Sequence, residues 1–321
     1  MKNGKLTALL VAAVCIGLGL VLILGALAAI DFELDWMHDA DSTTTTYTIE
    51  EAFTDISIKG AECDIRLLPS EDGVCKVVCR ESDKIYHTVT VKNSTLTVRR
   101  IDSRKWFERI SLFNWGKMEI AVYLPESAYA SLHITGVSGN IEVPRGFSFV
   151  SAELHNTSGD ISCSAAVREE LSAKTVSGKL SIQDVAPKRL TAKSTSGKVT
   201  VSAVKVEAAM EVETVSGKIE LTDIRCQTLA AESTSGKLVL SEVVASEDIR
   251  VKSVSADVEL RGCDGDTLWI KTTSGRVTGT LLTEKIFITK TSSGRVDVPR
   301  TTSGGTCEIT TTSGDIMIAI A

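Results

Sequence analysis

The sequence predicts an all-β fold: a β-solenoid (β-helix) of 19–20-residue coils with two stacked parallel sheets, preceded by one N-terminal transmembrane helix. Three observations carry this expectation. A Ser-Gly dipeptide recurs along most of the chain, apolar and polar residues alternate on both sides of it, and an uncharged, largely apolar run opens the sequence. With 321 residues, 43% of them hydrophobic and 24% charged, there is ample material for a buried core.

The apolar run extends from Leu6 to Ile30 behind Lys2 and Lys5, and is followed by Asp31, Glu33, Asp35 and Asp39. It is long enough to cross a hydrocarbon core of roughly 30 Å. Basic residues before it favour a cytoplasmic N-terminus. Residues 1–30 therefore read as a single-pass signal anchor in the lipid bilayer, with the C-terminal domain extracytoplasmic. A signal peptide cut after Ala28 is the alternative, because Ala26-Leu27-Ala28 fits a small-x-small site. A lipoprotein is excluded at Cys15, which follows Val14. Residues 31–47, acidic and then threonine-rich through Thr43–Thr46, read as a juxtamembrane stalk. Its Asp35, His38, Asp39 and Asp41 lack a fixed ligand spacing, so no metal is expected there.

The repeat fixes the body at residues 131–321. Its markers are Gly139, Gly159, Gly178, Gly197, Gly217, Gly236, Gly275, Gly294 and Gly314, each preceded by serine and spaced 19 or 20 residues apart, with Ala256 in the one vacant slot. Two residues before the serines stand Thr175, Ser194, Thr214, Ser233, Ser253, Thr272, Thr291 and Thr311. Apolar pairs such as Leu190/Ala192 and Met210/Val212 precede them, and pairs such as Val199/Val201 and Ile219/Leu221 follow the glycine. Each unit is thus strand, corner, strand, turn. One unit cannot bury its apolar face alone, but coils stacked about 4.8 Å apart build two face-to-face sheets.

The marker glycines are structural corners, expected to adopt positive φ, which costs a residue with a Cβ about 1 kcal/mol or more. Ala256 then predicts a strained or reshaped corner. The inward Ser and Thr column should hydrogen-bond to corner backbone or to its equivalents one coil away.

Residues 48–130 read as N-terminal capping coils, strand-like at Cys63/Ile65/Leu67, Cys75/Val77/Cys79, Val89/Val91 and Met118/Ile120/Val122/Leu124. An aromatic excursion at 101–116 interrupts them. It reads as a cover for an unpaired strand edge, with membrane contact through Trp106, Phe107 and Trp115 as the alternative. At the far end Ile316, Ile318 and Ile320 predict an edge covered by the protein itself or by another molecule. Seven cysteines lie beyond the apolar run at spacings that match neither zinc nor disulfide frameworks, and most fall on inward positions as core filler.

Function is less legible. The residues after the markers, Lys179, Lys198, Lys218, Lys237, Asp257, Arg276 and Arg295, stack on one outer edge. The six cations among them either bind a repeating envelope polyanion or are solvated and relieved by Glu213, Glu220, Glu232 and Asp257. The net charge of −6 argues against nucleic acid. The repeated serines lack the partner base that a nucleophile needs, since His38, His87, His133 and His155 do not recur with them. Asp184, Asp223 and Glu242 recur at one turn but form a ladder without paired-acid geometry, so a polysaccharide-acting enzyme is disfavoured. No catalytic residue and no cofactor is expected.

The motifs Thr175-Val176-Ser177-Gly178-Lys179, Ser194-Thr195-Ser196-Gly197-Lys198 and Thr214-Val215-Ser216-Gly217-Lys218 resemble a bacterial family of adhesin-like domains of unknown function, which includes envelope-stress accessory proteins. The resemblance spans roughly residues 48–321. It implies a β-solenoid on the outer face of the cell and transfers no catalytic residue. The expectation is a noncatalytic cell-surface scaffold or adhesin-like binding module for an envelope polymer or surface protein. The alternative is an accessory regulator in envelope-stress or membrane signalling, because Met1–Lys5 leaves no room for a cytoplasmic output domain.

Overall fold

The computed structural model describes residues 43–105 and 118–321. The predicted membrane segment, residues 31–42 of the stalk, and Trp106, Phe107 and Trp115 lie outside the described residues. Among the described residues no helix is long and apolar enough to cross a membrane.

The opening strands are β1 (Thr43–Ile49), β2 (Asp55–Lys59), β3 (Cys63–Pro69), β4 (Cys75–Glu81), β5 (Ile85–Lys92), β6 (Thr95–Asp102), β7 (Met118–Leu124), β8 (Ala128–Thr135) and β9 (Ile141–Val143). The body continues with β10 (Ser148–His155), β11 (Ile161–Cys163), β12 (Ala166–Thr175), β13 (Leu180–Gln183), β14 (Arg189–Ser194), β15 (Val199–Lys205) and β16 (Ala209–Thr214). Next come β17 (Ile219–Cys226), β18 (Thr228–Ser233), β19 (Leu238–Ala245), β20 (Asp248–Ser253), β21 (Val258–Cys263), β22 (Thr267–Lys271) and β23 (Val277–Leu281). The last four are β24 (Lys285–Lys290), β25 (Val296–Asp297), β26 (Gly305–Thr310) and β27 (Ile316–Ile320).

From β8 to β23 the strands alternate between a 14-stranded and a 13-stranded sheet, each pairing in parallel with its equivalent one coil away. Register is kept from coil to coil apart from shifts at Phe149/Ser151 and Leu260/Cys263, so equivalent positions form columns. Leu171, Leu190, Met210, Leu229, Ile249, Leu268 and Cys307 are successive partners in one sheet. Ile161, Leu180, Val199, Ile219, Leu238, Val258 and Val277 form the facing column. None of these side chains is more than 1% exposed. Each large one contributes about 1.5–3 kcal/mol through burial. The inward glutamate-free pattern is sharpest in β16, where Ala209, Glu211 and Glu213 face out while Met210, Val212 and Thr214 face in.

The seven cysteines of the described residues are all buried and unpaired by disulfide, as core filler should be. Burial pushes Cys163 and Cys226 up to about 11 and Cys75 and Cys307 up to about 12, so they are neutral thiols.

Both ends depart from simple succession. At the start, β2 lies between β6 and β8, and β3 lies between β7 and β9, so the first coil is inserted above its successor. Antiparallel pairs close that end: β1 with β4, β4 with β7, and β5 with β6. Thr43–Tyr47, assigned above to the stalk, belong to β1, because Tyr47 packs on the core and its hydroxyl donates to the His87 carbonyl at 3.0 Å.

At the other end β26 lies between β22 and β24, and β27 between β23 and β25. Ile316, Ile318 and Ile320 are therefore interior, and the coil of β24 and β25 is outermost. The crossover is made by Gly304, at φ +97°, and Gly305, where a Cβ would lie 1.9 Å and 2.1 Å from the carbonyl oxygens of Glu284 and Asp266. This out-of-step Gly-Gly pair is the sequence signal that marks the reordering.

The Ser-Gly edge as a candidate binding surface

The corner is built from the inside out. The inward hydroxyl of each repeat accepts the marker's backbone N–H, as in Ser194 from Gly197 (2.9 Å), Thr214 from Gly217 (3.0 Å), Ser233 from Gly236 (2.9 Å) and Thr272 from Gly275 (3.0 Å). Thr291 also donates to the Gly314 carbonyl of the adjacent coil at 3.2 Å. These hydroxyls are committed to backbone. In the first regular coil Asn156, not singled out by the sequence, takes the same place and donates to the Gly139 carbonyl at 2.7 Å.

The reason for glycine differs from the expectation. Of the nine markers, Gly139 alone has positive φ, +104°. At the others the neighbouring coil passes too close. A Cβ on Gly178, Gly197, Gly217 or Gly236 would lie 1.7–1.9 Å from the carbonyl oxygen of the marker one coil away. Stacking therefore selects glycine by contact between coils, not by torsion within one. Ala256 is buried, keeps the N–H donation to Ser253 at 2.9 Å that the glycine corners make, and has no positive φ.

Positive φ occurs at the opposite bend, six residues after Gly178, Gly197, Gly217, Gly236 and Ala256. Asp184, Ala203, Asp223 and Glu242 lie at φ +51° to +56°, and Gly262 follows at +61°. The recurring acids read from the sequence thus occupy left-handed turns. Asp184 pairs with Arg145, and Asp223 lies 3.6 Å from Arg225.

Outside the corner stand two exposed columns. One is the serines themselves, exposed from Ser158 onward. The other alternates Val137, Thr157, Val176, Thr195, Val215, Thr234, Val254 and Thr273. Its valines are 47%, 45%, 47% and 48% exposed in that order, a regular apolar stud on every second coil.

The adjoining cation row is shorter and better compensated than the sequence order implies. Insertion of the last coil places Asp315 between Arg276 and Arg295, so the uninterrupted stretch is Lys179, Lys198, Lys218 and Lys237, bounded by Asp160 and Asp257. Lys198 and Lys218 share Glu220, and Lys237 lies 2.7 Å from Glu259. Those lysines hold the Glu220 carboxyl below its ordinary range, and Lys237 with Arg261 does the same to Glu259. Arg295 pairs with Asp297 at 3.1 Å. Among the histidines, exposed His133 and His155 share Glu153 at 3.1 and 2.9 Å.

The Toastrack DUF4097 family model matches residues 53–225 and 190–321. The chain belongs to this family. No curated protein matches the sequence. Among solved structures, a "putative adhesin" from Parabacteroides merdae is similar over 75% of this chain and 96% of its own, with a TM-score of 0.51 and 14% identity. A "putative lipid binding protein" from Parabacteroides distasonis aligns over the same shares with a TM-score of 0.49 and 15% identity. A "putative adhesin" from Bacteroides fragilis aligns over 75% and 97%, with a TM-score of 0.44 and 19% identity. At such identity the likeness to the Parabacteroides merdae protein is one of fold.

Proposed function

We propose that this protein is a noncatalytic, adhesin-like binding module displayed on the outer side of a membrane, and that its ligand is an extended envelope polymer or surface protein lying along the Ser-Gly edge. The observation that carries this reading is the regular Val/Thr column beside the serine column. Valines nearly half exposed recur every second coil, about 10 Å apart. A row of small apolar studs flanked by hydroxyls suits a ligand with its own linear repeat, because each added unit meets the same surface again.

The buried Ser/Thr hydroxyls contribute rigidity to this edge, since each is bonded to corner backbone. The cation row supplies at most a weak field, because Glu220 and Glu259 neutralise its centre. The apolar run from Leu6 to Ile30 supports the membrane location.

The test is retention of the full chain on fractionated envelope material, wild type against the Val176→Lys/Val215→Lys/Val254→Lys variant. The reading expects at least a tenfold loss of retention in a variant that melts as the wild type does. Equal retention would remove the edge from consideration.

A further inference from the structure

The coil of β24 and β25 closes the stack with an open edge. Among the described residues β24 pairs with β26 alone and forms the rim of the 13-stranded sheet. Four of the nine large apolar side chains exposed among those residues belong to this coil or its entry: Leu282, Ile286, Ile288 and Val296. Ile288, at 54%, is the most exposed of the nine. Sheet edges are ordinarily guarded by outward charge, proline or a bulge. β24 has a lysine at each end, but Lys285 is folded inward, its side chain 5% exposed and 2.6 Å from Asp264. Lys290 alone stands in solvent.

The backbone fixes which part of the edge is open. Thr311 of the adjacent coil donates its N–H to the Lys290 carbonyl at 2.9 Å. Backbone groups alternate sides along a strand, so Ile286, Ile288 and Lys290 face β26, while Lys285, Phe287 and Thr289 face away from it. The Lys285 carbonyl already takes the Thr301 hydroxyl. Phe287 and Thr289 are left with both backbone groups turned to the open side.

We propose that this edge pairs with a second copy of the chain, β24 against β24 in antiparallel, with the two-fold axis at Ile288. In that register Phe287 of each copy exchanges both backbone hydrogen bonds with the partner's Thr289. Ile288 meets the partner's Ile288 at the close, non-hydrogen-bonded position on the outer face, and Ile286 lies along the stem of the partner's Lys290. Lys290 reaches diagonally to the partner's Glu284, which is exposed at the other end of the strand. A second copy is the occupant because the strand complements its own reverse, with isoleucine on isoleucine at the centre and opposite charges at the ends. A slip by one residue would turn the isoleucines against inward positions. Moving the axis to Phe287 would call on the Lys285 carbonyl that Thr301 holds. The dimer presents the Ser-Gly edge twice, which strengthens retention on a repeating ligand whatever its chemistry.

The test is sedimentation equilibrium of the full chain in a nonionic detergent. The expected result is a reversible monomer–dimer equilibrium that Ile288→Lys abolishes and Tyr86→Lys, on an exposed side chain of β5, leaves unchanged. Lys290→Glu should raise the dimer dissociation constant about tenfold, and Glu284→Lys added to it should restore the wild-type value. Under mild oxidation Ile288→Cys forms a disulfide dimer mapped to that position, whereas Ile286→Cys, opposite the partner's Lys290, does not. Ile288 is exposed, so Ile288→Lys should melt as the wild type does; should it fail to fold, the two cysteine variants decide. A wild type that stays monomeric, which would leave the edge to a different occupant, overturns the proposal. So does a dimer that survives Ile288→Lys, as one formed through the run from Leu6 to Ile30 would, or cross-linking of Ile286→Cys in place of Ile288→Cys.

Discussion

Each coil of this protein turns twice, and the two bends obey opposite rules. At the Ser-Gly corner the backbone torsions are ordinary at every marker but Gly139, and in every slot but that of Ala256 a glycine stands where the next coil's carbonyl takes the place of a Cβ. At the opposite bend the torsion is left-handed, yet aspartate, alanine and glutamate occupy it. There the cost is local, of order 1 kcal/mol, and open space surrounds the side chain. A steric conflict with a neighbouring coil has no such cheap resolution. The contrast shows that a repeated glycine reports how closely chains approach, while the unusual torsion can hide beneath residues of ordinary type.

Substitutions at the two bends should therefore differ in sign. Gly217→Ala is expected to cause the largest loss, about 1–3 kcal/mol by overpacking against the Gly197 carbonyl, read as a lower denaturant midpoint. A midpoint equal to wild type would break the comparison at its stronger side. Thr214→Val tests the inner hydroxyl of the same corner. It leaves the Gly217 N–H without its acceptor at 3.0 Å and should cost about 1–2 kcal/mol.

At the opposite bend Ala203→Gly relieves a non-glycine residue at φ +53°. Here the expected change is a gain of up to about 1 kcal/mol, partly offset by the greater freedom of glycine in the unfolded chain. A thermal midpoint that falls instead would show that the left-handed torsion carries no penalty at this bend. The smallest effect belongs to Glu220→Gln. Removing the shared partner of Lys198 and Lys218 should change stability by less than about 0.5 kcal/mol, while binding of a model polyanion at low salt should rise.

The solenoid, its two sheets and its inward columns were legible because a parallel stack repeats one solution, and period-two alternation with fixed spacing records it. Buried cysteines such as Cys163 and Cys263 were legible for the same reason, lying at inward positions of the repeat. What escaped was whatever depends on contact between distant segments. The steric role of Gly178 exists because Gly159 lies one coil away. The seat of Ile316 between Val277 and Val296 follows from a crossover at Gly304-Gly305, not from the order of the repeats. His87 and Cys79 belong to antiparallel strands whose pairing no repeat announces. The valine studs were present in the sequence motifs, but alternation alone does not say which half-polar column faces solvent at a corner.

The reversed order of the terminal coils bears on how such a protein resists mechanical load. In a simple stack the last rung has one neighbour and peels away bond by bond when its end is tugged. Here β27 is bonded to β23 along its length and to β25 at Ile316 and Met317, and Ala321 donates to the Leu281 carbonyl at 2.8 Å. A pull on the C-terminus therefore works first against the β23 ladder and meets a second ladder only at Ile316 and Met317, where freeing the strand means breaking bonds to both neighbours at once.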